Sequence, residues 1–190
     1  MKEYPIPYDK VMHAWYMPHD LCDDLINYFE DSSQKTRGKV GDGINETVKK
    51  STDVSLEFNS PLFTDYNQEL QKGIDAYEKK YPLLKQESKY DNLNETTNIQ
   101  KYLPGEGFYE LHTERENNPV CIKRIMVYMT YLNDCENAGT EWPYVGVKVP
   151  HAEKGLSVLW SADYPYAHKG LTENVNDIKY IATGWLSYAE

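Results

Sequence analysis

Few residues in this sequence are equipped for chemistry. Five are histidines: His13, His19, His112, His151 and His168. His112 lies in the run Tyr102-Leu103-Pro104-Gly105-Glu106-Gly107-Phe108-Tyr109-Glu110-Leu111-His112-Thr113-Glu114. Residues two apart on a strand project to one face, so His112 and Glu114 can address one point in space. A second histidine from a neighbouring strand would complete two imidazoles and a carboxylate, the set that leaves three positions open on Fe(II). His168 suits that role. It follows the apolar segment Leu156–Trp160 in Ala167-His168-Lys169-Gly170 and precedes the last strand-like segment. A His-x-Glu alone is a weak signal, equally the mark of a surface or core histidine. His13 and His19, flanking Pro18 in a polar segment, read as structural or solvated, and His151, after Pro150, as a surface turn residue.

The elements that must position these groups fall into two halves. Leu21, Leu25, Ile26 and Phe29 recur at helical spacing over Asp20–Glu30, with acids in the first turn to suit the dipole. Phe63, Tyr66, Leu70, Ile74, Tyr77 and Tyr81 mark a second helix from Leu62 to Lys80, started by Ser60-Pro61 and stopped by Pro82. Its tyrosines form a packing stripe. The polar, glycine-rich run Thr36–Gly43 reads as an exposed loop. From Ile99 onward the character changes. Ile99–Leu103, Arg124–Leu132, Val145–Val149, Leu156–Trp160 and Lys179–Tyr188 are short, rich in Val, Ile, Tyr and Trp, and separated by Pro, Gly, Asn and Asp. No helical period connects them, which predicts an antiparallel sandwich or barrel with two helices bracing one face.

Composition narrows the partners. The 190 residues carry 30 acidic and 20 basic side chains, for a net charge of −10. That balance argues against nucleic acid or an anionic membrane surface, both of which demand clustered Lys and Arg. No apolar run approaches the roughly 18 residues of a membrane span, and the N-terminus lacks the apolar core of an export signal. Cys22, Cys121 and Cys135, odd in number and widely spaced, read as reduced, mostly buried thiols. The expectation is a soluble cytoplasmic protein, in which the sequons at Asn45 and Asn94 are chance matches.

The ordered set of segments carries more than any one of them. Tyr102–Glu114, Arg124–Asn133, Ala138-Gly139-Thr140-Glu141-Trp142, Val149-Pro150 with Gly155, His168-Lys169-Gly170, and Lys179-Tyr180 with Trp185 together resemble the catalytic core of prolyl-4-hydroxylase-like Fe(II)/2-oxoglutarate dioxygenases. The resemblance spans residues 99–188; the helix near Leu21 looks more loosely like the family's entry helix. It implies a mainly β, α+β fold, with residues 1–98 as helical and strand support and residues 99–190 as a double-stranded β-helix (jelly-roll) core in one catalytic domain.

Carried onto this sequence, the resemblance makes His112, Glu114 and His168 the iron ligands. Lys179 would bind the distal carboxylate of 2-oxoglutarate, aided by Tyr102 and Tyr131. Tyr109, Arg124, Trp142 and Tyr166 would contact substrate, although Arg124 could equally be a structural ion-pair partner and Trp142, like Trp185, core or pocket wall. The implied reaction consumes O2 and 2-oxoglutarate, releases succinate and CO2 and hydroxylates a prolyl residue in a peptide or protein. Ascorbate is a further possible cofactor. The loop Thr36–Lys50 and Tyr164-Pro165-Tyr166 would form a lid and a cleft wall. Three departures stand out: the carboxylate ligand is Glu114 where the family has Asp, with Glu116 a lesser substitute; Lys179 lies further from His168 than usual, a gap that a turn around Asn174–Asp177 would absorb; and the usual double glycine is Ala138-Gly139. Alternatives are the same chemistry on a free amino acid or other small molecule, a metal-only dioxygenase, and a non-catalytic jelly-roll binding module.

Overall fold

The computed structural model describes residues 1–41, 43–87, 89–91, 95–119 and 121–189. Asp42 of the glycine-rich loop and Asn94 of the second sequon lie outside the described residues. Strand β1 (His13–Tyr16) leads into helix α1 (His19–Asp31), then β2 (Thr36–Arg37), β3 (Thr52–Ser55), α2 (Pro61–Lys80), α3 (Leu83–Glu87) and β4 (Tyr90–Asp91). Seven strands follow: β5 (Asn98–Tyr102), β6 (Arg124–Tyr131), β7 (Thr140–Trp142), β8 (Val147–Val149), β9 (Leu156–Ser161), β10 (Lys169–Gly170) and β11 (Lys179–Tyr188).

An eight-stranded sheet runs β1-β9-β6-β11-β5-β3-β2, with β4 also pairing β11, and faces a three-stranded sheet β10-β7-β8. Its strands pair antiparallel throughout. The smaller sheet does the same. This is the mainly β architecture with supporting helices that the sequence led us to expect.

Strand β6 shows why two layers form. Met126 and Tyr128, and Leu132 just past its end, pack on the helix side with Leu25, Phe29, Tyr66 and Leu70, while Val127, Met129 and Tyr131 pack between the sheets with Trp142, Val158 and Trp160. That alternation is the period of two demanded by a strand buried on both faces. Helix α2 is started by Ser60, whose hydroxyl accepts from the Leu62 amide, and by Pro61 in its first turn. Gly73 sits inside it at a cost in helix propensity because a Cβ there would come within 2.3 Å of the Trp15 indole. Across the sheet, Tyr66, Thr130 and Ser157 share buried hydroxyl hydrogen bonds of 3.0 and 2.8 Å.

Several local readings change. The N-terminal segment is not polar in its setting: His13 is buried in β1, with Trp15 stacked beside it. Strand β8 begins two residues later than expected, because Val145 lies in a turn closed by Gly146 in the left-handed region. Part of the glycine-rich loop is strand: Thr36–Arg37 pairs with β3. All three cysteines are free, and Cys121 is only partly buried.

Candidate metal centre

His112 and Glu114 lie on the long connection between β5 and β6, not on a regular strand as the spacing suggested. What fixes them is one antiparallel bridge: the His112 amide donates to the His168 carbonyl (3.1 Å) and the His168 amide to the His112 carbonyl (2.9 Å). Residues directly opposite in such a pair send their side chains to one face, and the two rings lie 4.4 Å apart. Each ring is then oriented by its own Nδ1, His112 on the Glu110 carbonyl (3.0 Å) and His168 on the Tyr166 carbonyl (3.1 Å). A carbonyl only accepts, so both Nδ1 atoms carry the hydrogen and both Nε2 atoms are free to ligate. Phe108 stacks on His112 at 3.5 Å and 10°.

Both Nε2 atoms lie 3.5 Å from the same Glu114 oxygen, Oε1. The three ligand atoms are all within 4.8 Å of one another. Three lone pairs directed at one point need a proton or a cation between them, so the donor set fits a divalent metal held by two neutral imidazoles and one carboxylate. The other oxygen, Oε2, accepts from the Trp185 indole (2.9 Å) and lies 3.3 Å from the Arg124 guanidinium. Arg124 is in turn paired with Glu95 and lies 3.7 Å above the Trp185 ring. Burial alone would raise the Glu114 carboxyl, but the two imidazoles hold it well below the usual range. Burial pushes His168 down, toward the neutral ring that a metal requires.

A cavity of about 640 Å³ opens over this face. At one end stands Lys179, paired in register with Tyr102 on β5. Its Nζ donates to the Ala138 carbonyl (3.1 Å) and lies 4.9 Å from the centre of the Tyr102 ring. No salt bridge to Lys179 occurs among the described residues, and burial pushes its ammonium down to about 8. Tyr102 and Tyr131 are both raised by burial and stay neutral donors. The Tyr102 hydroxyl is spent on Gln100 (2.6 Å), and that of Tyr131 on Thr140 (2.7 Å). Tyr131 is outside the cavity lining; Thr140, which it holds, is within it.

The structure thus gathers His112, Glu114 and His168 at one point and sets Tyr102 and Lys179 in the same cavity. Glu116 is exposed on the cavity edge, outside the three-residue cluster. Of the four expected substrate contacts, only Arg124 lines the cavity. Tyr109 instead donates to the Gly105 carbonyl, Tyr166 to the Lys10 carbonyl, and Trp142 is fully buried against Trp160. The expected lid is represented in the lining by Thr36, Arg37, Lys39, Val40, Gly41, Val48 and Lys49, whereas Tyr164 and Tyr166 are absent from it. The long His168–Lys179 separation is taken up at Asn174, in the left-handed region at φ 59°. The single remaining glycine of the Ala-Gly pair is obligatory, since a Cβ on Gly139 would sit 1.8 Å from the Val149 carbonyl oxygen. Sequence reasoning missed Trp185 as the indole donor to Glu114; its place on β11, at even spacing from Lys179, was the available signal.

No family sequence model matches the chain, and no curated protein matches it by sequence. Solved structures do match it. The viral collagen prolyl hydroxylase vCPH of Paramecium bursaria Chlorella virus 1, in complex with 2-oxoglutarate, superposes with a TM-score of 0.68 at 18% identity, covering 94% of this chain and 97% of that one. A prolyl-4-hydroxylase of Pseudomonas putida gives 0.69 at 15%, covering 96% and 97%. A prolyl hydroxylase of Trichoplax adhaerens, in complex with a hypoxia-inducible-factor peptide fragment, gives 0.68 at 11%, covering 94% and 84%. Two facing antiparallel sheets braced by helices, with this likeness over nearly the whole chain, give the protein the jelly-roll fold of these prolyl hydroxylases.

Proposed function

We propose that the chain is an Fe(II)- and 2-oxoglutarate-dependent oxygenase whose first substrate class is a prolyl residue in a peptide or protein. The observation that carries this reading is the convergence of two imidazole Nε2 atoms on one oxygen of Glu114, in the same cavity as a buried lysine with no carboxylate partner among the described residues. When bound, iron with 2-oxoglutarate and O2 would supply the oxidising equivalent for hydroxylation. The chain's own residues do the rest. Lys179 would hold the far carboxylate end-on, with the Ala138 carbonyl and the Tyr102 ring keeping its Nζ in place. Trp185 and Arg124 occupy Glu114 Oε2, so the carboxylate would present only Oε1 to the metal. Met129, Trp160 and Ile181 are among the apolar residues of the wall, with Phe108 and Leu111, and would exclude water from the reacting face. The prolyl assignment is supported by the fold likeness, including the peptide complex of the Trichoplax enzyme.

The test is spectroscopic. Adding Fe(II) and then 2-oxoglutarate to the protein without oxygen is expected to produce the weak visible charge-transfer band of the chelate. Its absence from a folded, iron-loaded sample would overturn the assignment.

A further inference from the structure

The cavity has a second buried cation that the iron and 2-oxoglutarate reading does not use. Lys49 is 5% exposed yet belongs to the cavity lining. Among the described residues its Nζ meets one acceptor, Asp53 Oδ2, at 2.8 Å, although an ammonium carries three donors. Asp53 needs nothing further: Ser51 donates to Oδ1 (2.6 Å) and Gln100 to Oδ2 (3.3 Å). The anion is therefore satisfied within the wall, while the cation keeps donors to spare. Gly38 makes room for it, since a Cβ there would meet Ser51 Oγ at 2.1 Å and Lys49 Nζ at 3.2 Å.

Charge on the cavity rim points the same way. Lys39 and Arg37, the latter paired with Glu46, belong to the cavity lining together with Lys49, in a chain whose net charge is −10. Glu110 and Glu116 are also in the lining, as are Glu95 and Glu114, both paired with Arg124. A negative group entering the cavity is repelled by Glu110 and Glu116 and drawn toward Lys39 and Lys49. The sheet face beside Lys49 is also hydrogen-bonding, not greasy: Asn98 and Gln100 of β5 stand in register with Ser55 and Asp53 of β3, all in the lining. An ion pair kept this deep contributes little to stability, because desolvation offsets its attraction.

We propose that Lys49 receives a carboxylate of the substrate, either an acidic side chain close to the target residue of a peptide or the α-carboxylate of a free amino acid. The assignment rests on the oxygenase reading of the same cavity, with Lys179 reserved for 2-oxoglutarate. Lys39 steers the anion inward, and Lys49 holds it beside the polar face of β5 and β3.

Calorimetric titration of the protein with Fe(II) and 2-oxoglutarate, under anaerobic conditions, tests this with matched probes. These are short blocked Pro-containing peptides with Asp or Asn on either side of the proline, and free L-proline against L-prolinamide. The expected result is that one carboxylate probe binds about ten- to a hundredfold more tightly than its amide, the factor a charged hydrogen bond supplies. The arm that shows it identifies the source. Lys49→Arg should keep that preference and Lys49→Met should abolish it. Because Lys49→Met strands Asp53, the charge-free double variant Lys49→Met/Asp53→Asn serves as the second reading and should bind acid and amide probes alike. Equal or absent binding of acid and amide probes by the wild type, or a preference that survives loss of Lys49, overturns the proposal. Failure of the oxygenase reading is separable, since it shows as a missing charge-transfer band in the same sample before any probe is added.

Discussion

Lys179→Met should stabilise the protein in the absence of 2-oxoglutarate while removing its response to that cosubstrate. The reasoning starts from an ammonium pushed down to about 8 by burial, from 10.5 in water. Between those two values the unfolded chain binds a proton that the folded chain does not, so stability rises with pH across that window. Burying the charge costs the fold about 3 kcal/mol at pH 7, below the window, shrinking to about 1 kcal/mol at pH 9.5, within it. Methionine is close in length and uncharged. It also abandons the Ala138 carbonyl, a loss of about 1 kcal/mol. The net expectation at pH 7 is a gain of about 2 kcal/mol, and its pH dependence is the sharper part, because the lost hydrogen bond cancels between conditions. Urea unfolding of both proteins at the two pH values, with and without 2-oxoglutarate, provides the measurement. Wild type should gain stability from the cosubstrate, and the variant should not. A wild-type minus variant difference that stays flat with pH would show that the Ala138 carbonyl and the Tyr102 ring already compensate the charge, refuting the desolvation argument.

Other expectations follow from the same geometry. Glu114→Ala should abolish iron-dependent succinate formation, whereas retained activity would point to Glu116. Trp185→Phe removes the indole donor to Glu114 Oε2 and should weaken iron binding by about tenfold, read by metal titration against a chelator. Tyr66→Phe leaves Thr130 and Ser157 with an incomplete hydroxyl network and should cost about 1–2 kcal/mol in urea unfolding. Gly73→Ala gains about 1 kcal/mol of helix propensity but drives a methyl into the Trp15 ring, for a net loss of about 1–2 kcal/mol in the same assay.

Where local pattern and tertiary demand agreed, the sequence was legible. Strand β11 runs from Lys179 to Tyr188 as expected, because its apolar residues serve a strand buried in the middle of the sheet. Helix α2 was equally clear, since its apolar period, its Ser-Pro start and its proline stop coincide. What escaped depended on partners distant in the chain. The four residues of β1 are too few to show a period, and their burial comes from pairing with β9. His112 and Glu114 sit on a connection that no local pattern marks as ordered; a backbone bridge to His168 holds it. Tyr109 and Tyr166 looked like pocket residues because aromatics commonly are, but carbonyls elsewhere claim their hydroxyls. Nothing in the sequence sets Lys49 apart from the other lysines; Asp53 and the missing side chain of Gly38 account for its burial.

The bridge between His112 and His168 also bears on which ion the protein would carry. Main-chain hydrogen bonds close the long excursion between these residues. Such bonds carry no preference among ions, so the choice falls to ligand type, geometry and supply. Affinity then follows the intrinsic ranking of divalent ions, in which Fe(II) stands below Ni(II), Zn(II) and Cu(II). Occupancy by iron would therefore be decided by supply, and protein purified without control of trace metals would carry the tighter-binding competitors.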